Sequence, residues 1–362
     1  MKILHVLYSG LGGHGNVFFS MVDAAETGEL EFEALFNGVE NVKEEYIRNC
    51  KDKNIAWNFV KKRPGLDIAY YVNLYRQIKR SKPQIIFLHG GAAAIPARLA
   101  KMSSKGIRRI VVRETQANHL KTKIDWLYLA TAMIVADTMV YLSREYQQQV
   151  KTKLNFLYRE NKSVVIPNGI DLNTFTKTVE KPNGEQIILG MQSRLIPIKD
   201  HLTLLSAVAL LKEKEINVHL IIAGDGAFKE TLIQHTRELN ILDKVTFTGM
   251  LEEKALVSFL QQLDIYIHAS LGETMSTAIM QAMACGKPVI ASDVPGINNM
   301  VDNNITGILV PAQKAEEMAA AIFQLINSPQ LAEELANHAF VFAKENYSNK
   351  IMLDRYNVIF NL

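Results

Sequence analysis

Glu273 stands in the stretch Ser270-Leu271-Gly272-Glu273-Thr274-Met275-Ser276-Thr277, directly ahead of an apolar pattern with a helical period. A helix entered this way turns unsatisfied N–H groups and the positive end of its dipole toward the loop. That end suits a diphosphate, with Thr274, Met275, Ser276 and Thr277 nearest to it. Glu273 can accept hydrogen bonds from sugar hydroxyls. Gln281 lies a little over two helical turns further on, so it shares a face with the helix start and can reach a second part of the same ligand. Arg194 and Lys199 form another group, in Ser193-Arg194-Leu195-Ile196-Pro197-Ile198-Lys199-Asp200. Both are cations on a loop that follows an apolar run, and Arg can hold two oxygens of an anion at once. The Gly-rich stretch Leu11-Gly12-Gly13-His14-Gly15 follows the first apolar run and can cradle a phosphate, although it lacks the full dinucleotide spacing. His89 closes a further apolar run ahead of Gly90-Gly91, and Arg113, Glu114 and His119 follow the next one. No zinc spacing and no Asp-x-Asp pair in a suitable loop occurs, so no metal and no cofactor is expected.

The elements that must hold these residues are short apolar runs alternating with amphipathic stretches. Strands are predicted at residues 2–8, 32–36, 85–88, 110–112, 138–141 and 163–166. A second series falls at 187–191, 218–223, 245–247, 265–268, 289–291 and 307–310. Helical patterns between them include 66–80, 201–213, 228–239 and 274–284. This alternation predicts an α/β protein with parallel sheets covered on both faces. Two series of six predict two Rossmann-like domains, 1–170 and 171–349. Turn chemistry at Pro167-Asn168-Gly169 and Pro182-Asn183-Gly184 marks the boundary. Ligands of such domains bind at the carboxyl ends of the strands, here in a cleft between the two.

The bulk composition fits this. The chain has 362 residues, 48% of them hydrophobic and 21% charged, which is ordinary globular composition for two domains. Cys50 and Cys285 are too few for a disulfide framework and suit a reducing cytosol. The apolar start, residues 3–8, runs into glycines and reads as a buried strand rather than a secretory signal. The longest apolar run, 126–136, is too short to span a bilayer. Charge is uneven: residues 1–165 hold 25 basic and 15 acidic side chains, and the remainder 15 and 22. The excess concentrates between Lys43 and Lys123, with 19 basic against 5 acidic. That segment is expected to meet an anionic membrane surface, where each cation contributes on the order of 1 kcal/mol. No aromatic-interleaved RNA motif or helix-turn-helix pattern points to nucleic acid.

The segment 270–293 resembles the E-x7-E signature of the large bacterial family of retaining GT-B glycosyltransferases (group 1, family 4 type). The resemblance assigns Glu273 to the donor sugar and position 281 to the ribose diol. Here that second position is Gln281, a departure from the family's Glu. Arg194 and Lys199 are similar to the family's basic pair on the donor pyrophosphate. Val165-Ile166-Pro167-Asn168-Gly169-Ile170-Asp171 resembles its interdomain segment. Ala223-Gly224-Asp225-Gly226 resembles its G-x-G turn, which implies close backbone approach of Gly224 to the donor. Phe247-Thr248-Gly249-Met250-Leu251 sits where family members read the base, so Met250 is implied at the donor. By the same resemblance Gly13 and His14 lie near the donor phosphate and acceptor, and His89 is an active-site His. Arg113, Glu114 and His119 line the acceptor side, and residues 350–362 return to pack on the first domain.

These implications converge on transfer of a sugar from a nucleoside diphosphate sugar, UDP by family habit, to a hydroxyl with retained anomeric configuration. The acceptor is expected to be a lipid-linked or cell-envelope glycan, and the protein a cytoplasmic one peripheral on the inner face of the membrane. Two alternatives are a nucleotide-sugar epimerase of the same architecture and a nucleotide-sugar-binding module that has lost catalysis. The epimerase needs carboxylate acid/base residues in the cleft, and survival of Arg194, Lys199 and Glu273 speaks against the degenerate module.

Overall fold

The computed structural model describes residues 1–10, 12–25, 28–65, 67–177 and 186–361. Leu11 of the Gly-rich stretch, Leu66 at the start of one predicted helix, and the turn Pro182-Asn183-Gly184 lie outside the described residues, as does the side chain of His119. The chain divides into two compact units, Met1–Gly169 with Asn349–Leu362, and Ile170–Ser348. The boundaries read from sequence lie one residue later at each crossing.

The first unit contains, in order, β1 (Lys2–Tyr8), α1 (Gly13–Ala24), β2 (Glu31–Gly38), α2 (Glu44–Asp52), β3 (Ala56–Lys61), α3 (Ile68–Ser81), β4 (Ile85–His89), α4 (Ala94–Met102), β5 (Arg109–Arg113), α5 (Lys123–Val135), β6 (Thr138–Tyr141), α6 (Arg144–Lys153) and β7 (Ser163–Val165). All pairings are parallel, in the order β3-β2-β1-β4-β5-β6-β7. Six strands were expected, and among the described residues seven form. The extra one, β3, is an edge strand whose side chains are mostly exposed and which carries Asn58 and a terminal Lys, so it lacks the apolar run that marks a central strand. Residues alternate between two cores. Leu4, Val6, Ile86, Leu88, Ile110 and Val112 meet α3 to α6 on one face. Ile3, Phe87, Val111 and Val140 meet α1 and the chain's last helix, Asn349–Asn361, on the other.

The second unit contains β8 (Ile187–Gln192), α7 (His201–Glu213), β9 (Val218–Ala223), α8 (Lys229–Glu238), β10 (Val245–Gly249), α9 (Glu253–Gln262), β11 (Ile265–His268), α10 (Thr277–Ala284), β12 (Val289–Asp293), β13 (Ile308–Pro311), α11 (Ala315–Asn327) and α12 (Pro329–Asn346). Its six strands are also parallel, ordered β10-β9-β8-β11-β12-β13. The last helix, α13 (Asn349–Asn361), belongs to the first unit. There Met352, Tyr356 and Phe360 close the core against Phe87, and the Met352 sulfur accepts from Gly169 N at 3.1 Å. Among the described residues no helix is long and apolar enough to cross a membrane.

Candidate functional site

In each sheet the strand order reverses direction between two central strands, β1 and β4 in the first unit, β8 and β11 in the second. Crossovers leave these strands toward opposite edges, so a crevice opens beyond their carboxyl ends, the usual ligand position of such sheets.

In the second unit the chain leaves β8 through Ser193 and Arg194, makes a single 3-10 turn at Pro197–Lys199, and enters α7. Leaving β11, it returns through the loop that carries Glu273. The two loops are stitched together: Leu271 N donates to Ile198 O at 2.8 Å, and Ser270 Oγ donates to the same oxygen at 3.2 Å. This brings Lys199 Nζ onto Glu273 Oε1, a nearly buried ion pair. His268 Nε2 lies 2.5 Å from that carboxylate oxygen, and Tyr266 Oη lies 3.1 Å from His268 Nδ1. Burial pushes the Glu273 carboxyl up, but His268 and the Lys199 ammonium outweigh it and hold the group at about 2. Burial drives the His268 imidazole below its ordinary value despite Glu273. Glu273 is thus a fixed carboxylate at neutral pH, and an acceptor only. Its backbone is fixed as well, with Glu273 N donating to Pro295 O at 3.2 Å; a Cβ on Gly296 would sit 2.0 Å from Glu273 O.

α10 starts at Thr277, three residues later than its apolar pattern implies, because Ser276 is the cap and its Oγ accepts from Ile279 N. Thr274 and Met275 therefore belong to the loop, and Met275 packs against the core beneath. Ser276 Oγ also lies 3.3 Å from His268 Nε2, and its N–H faces the Met300 sulfur at 3.1 Å. Gln281 sits on the same helix, where Gln192 Nε2 donates to its Oε1 at 3.2 Å. Gly224 has φ 142°, and a Cβ there would meet Ser193 O at 1.9 Å. That glycine is required by the chain's own packing against the Arg194 loop, whatever else approaches it. Met250 is largely exposed after β10.

The first unit differs at the same place: His89 ends β4, and His5 lies behind it, buried within β1. His5 Nδ1 and His89 Nε2 lie 3.1 Å apart, with the His5 ring stacked on Phe87 at 4.5 Å. His14 Nε2 lies 3.0 Å from Tyr8 O. Gly12 N donates to Tyr46 Oη at 3.0 Å, tying the Gly-rich loop down, while Gly13 is exposed. Burial lowers His5 to about 3 and His89 well below the ordinary imidazole range; it lowers His14 too. Arg113 is the register partner of His89, so it shares their face, and its buried guanidinium donates to Asn168 Oδ1. Arg113 thereby braces the chain where it leaves this unit. Glu114 is buried and occupied internally: Lys121 Nζ lies 3.3 Å away and Gln116 N donates to it at 3.0 Å. Its carboxylate therefore serves the loop that follows β5.

Sequence reasoning missed His268, Tyr266, Gln192 and His5. All sit in or at the end of strands whose apolar neighbours carried the reading. Gln192 and His5 meet Gln281 and His89 from separate elements, and His268 meets Glu273 only because a loop folds back over β11, so none of these contacts leaves a period in the chain.

Residues 173–341 match the family described as Glycosyl transferases group 1, and residues 11–174 match Glycosyltransferase Family 4. The chain is 28% identical over 250 residues to alpha-monoglucosyldiacylglycerol synthase of Streptococcus pneumoniae, a stretch covering 62% of this chain but only 56% of that protein. It is 24% identical over 285 residues to UDP-Gal:alpha-D-GlcNAc-diphosphoundecaprenol alpha-1,3-galactosyltransferase of Escherichia coli, covering 73% and 72% of the two chains. Among solved structures, Anabaena Alr3699/HepE in complex with UDP superposes over the full length of both chains with a TM-score of 0.83 at 20% identity. Two parallel-sheet units of this order are the GT-B fold, and the two family matches together run from residue 11 to residue 341. The chain belongs to the group 1 glycosyltransferases.

Proposed function

We propose that the protein transfers a sugar from a UDP-sugar to a hydroxyl of a lipid-linked or cell-envelope glycan, with retention at the anomeric carbon. The observation that carries this is the Lys199–Glu273 pair at the reversal between β8 and β11. It places a cation and a fixed carboxylate side by side, as a donor with a pyrophosphate and a hydroxylated sugar requires. Lys199 spends one of its three N–H donors on Glu273 and keeps the others for phosphate oxygens. Arg194 adds a second cation. Glu273 accepts from the sugar hydroxyls, and Gly224, Met250, Thr274 to Thr277 and Gln281 complete the donor site. The carbon–oxygen bond to the departing phosphate breaks while the acceptor oxygen attacks from the same side, and the acceptor proton passes to the phosphate oxygen. Charge grows on the pyrophosphate in that step, and preorganised cations lower its energy. Neither a second carboxylate nor a metal takes part.

The roles of Gly13, His14, His89, Arg113, Glu114 and His119 toward donor and acceptor rest on the resemblance. The names of the S. pneumoniae and E. coli relatives support a lipid-linked acceptor, and the UDP complex of HepE supports the base. We place the protein on the inner face of the cytoplasmic membrane, held by its basic first unit. The test is turnover with UDP-glucose, UDP-galactose and GDP-mannose, with product configuration read from the anomeric proton coupling in NMR. Release of UDP that survives in Lys199→Ala at the wild-type rate, or an inverted product, would overturn the reading. Isomerised donor without acceptor would favour the epimerase instead.

A further inference from the structure

The longest apolar run of the chain, residues 126–136, has no part in the chemistry above. It forms most of α5, whose only charged residues, Lys123 and Asp125, sit in its first turn. A helix apolar on all sides belongs in a core or against lipid. Yet only one face of α5 is covered, by Leu129, Ala132 and Met133 in the first unit's core. Ile124, Leu127 and Ile134 recur on its outer face at helical spacing. α4 packs beside it and repeats the arrangement, with Ala94, Ala97 and Ala100 inward and Ile95, Leu99 and Met102 outward. These six large side chains are each 50 to 71% exposed. Single exposed apolar residues are ordinary, but two adjacent helices each presenting a row of them make a surface that wants a cover.

Charge decides which cover. Arg98 lies within the α4 row, Lys105 and Arg108 follow that helix, Lys123 opens α5, and all four are exposed. The surrounding segment carries the 19-to-5 excess of basic residues. Two copies of this face would bring like charges together, whereas an anionic lipid surface satisfies both the cations and the apolar rows.

We propose that the outer face of α4 and α5 is the membrane-docking surface, its six aliphatic side chains entering the lipid interface and its rim of Arg and Lys meeting anionic headgroups. This rests on the membrane reading above and adds where the contact is made. It also predicts that salt alone does not release the protein, since burial of the aliphatic side chains is unscreened while the headgroup attraction falls with ionic strength.

The experiment is flotation of the full chain with vesicles of equimolar phosphatidylglycerol and phosphatidylcholine, beside vesicles of phosphatidylcholine alone, at low and high salt. Wild type is expected on the anionic vesicles, with partial retention at high salt. Leu127→Glu with Ile134→Glu is expected to lower binding by roughly tenfold or more, and Leu99→Gln by a smaller factor, with melting temperature and UDP-sugar hydrolysis unchanged. Wild type that ignores anionic vesicles would sink the membrane reading and this proposal with it. Wild type that binds together with variants that bind equally would overturn the α4–α5 face alone. Variants that dissociate a dimer without changing flotation would assign the face to a second copy, and also overturn it.

Discussion

The two sheets reverse strand order at the same place and fill the resulting crevice with opposite chemistry. Beyond β8 and β11 lies a charged group, Lys199 against Glu273 with His268 behind it. At the end of β4 lies an imidazole that burial holds neutral, His89, with the equally neutral His5 behind it inside β1 and His14 at the rim. A fold fixes where a ligand can sit and leaves open what it meets there. The charged crevice suits a ligand that brings its own charge. The neutral one suits hydroxyls, to which an uncharged imidazole can donate from one nitrogen and accept at the other.

The largest expected effect breaks the comparison outright. Lys199→Ala should lower turnover by about 100-fold or more, the loss typical of one preorganised donor on developing charge. A loss under about tenfold would mean the charged crevice is structural. Next comes acid sensitivity. His5 has a folded value of about 3, below the 6.5 of an unfolded histidine. The stability it lends is complete above 6.5 and falls as pH drops from there toward 3, because the unfolded chain takes a proton the folded one refuses. Glu273, lowered from 4.5 to about 2, loses its contribution only below 4.5. Between pH 7 and pH 5 the neutral crevice should therefore weaken while the Lys199–Glu273 pair does not. Urea unfolding at those two pH values should show His5→Phe losing about 2 kcal/mol less than wild type; an equal loss would place the sensitivity elsewhere. The smallest effect sharpens the charged side. Gln281→Glu restores a carboxylate opposite Gln192 and should tighten UDP about fivefold by calorimetry. Unchanged affinity would mean position 281 does not touch the ribose.

Much of the framework was legible. β1, β6, β9 and β11 have the bounds their apolar runs imply, since buried parallel strands announce themselves by composition alone. The edge strand β3 did not, because half its surface faces solvent. Arg194, Lys199 and Glu273 could be read from their places after strands, and the structure draws the last two into contact. His268 could not, because its meeting with Glu273 depends on how one loop folds back over the end of its own strand. Glu114 was legible as a charged residue after β5, but only packing reveals that Lys121 occupies it. Identity and place in sequence carry over; pairing does not.

The return of α13 to the first unit has a consequence for synthesis. Residues 170–348 form a complete unit before the chain emerges further, whereas Phe87 and its neighbours wait for Met352, Tyr356 and Phe360. The unit that is made first is finished last, so the growing chain carries an open apolar face throughout translation of its second half. A stop codon just before Asn349 would leave the unit of the charged crevice whole and the apolar face around Phe87 uncovered.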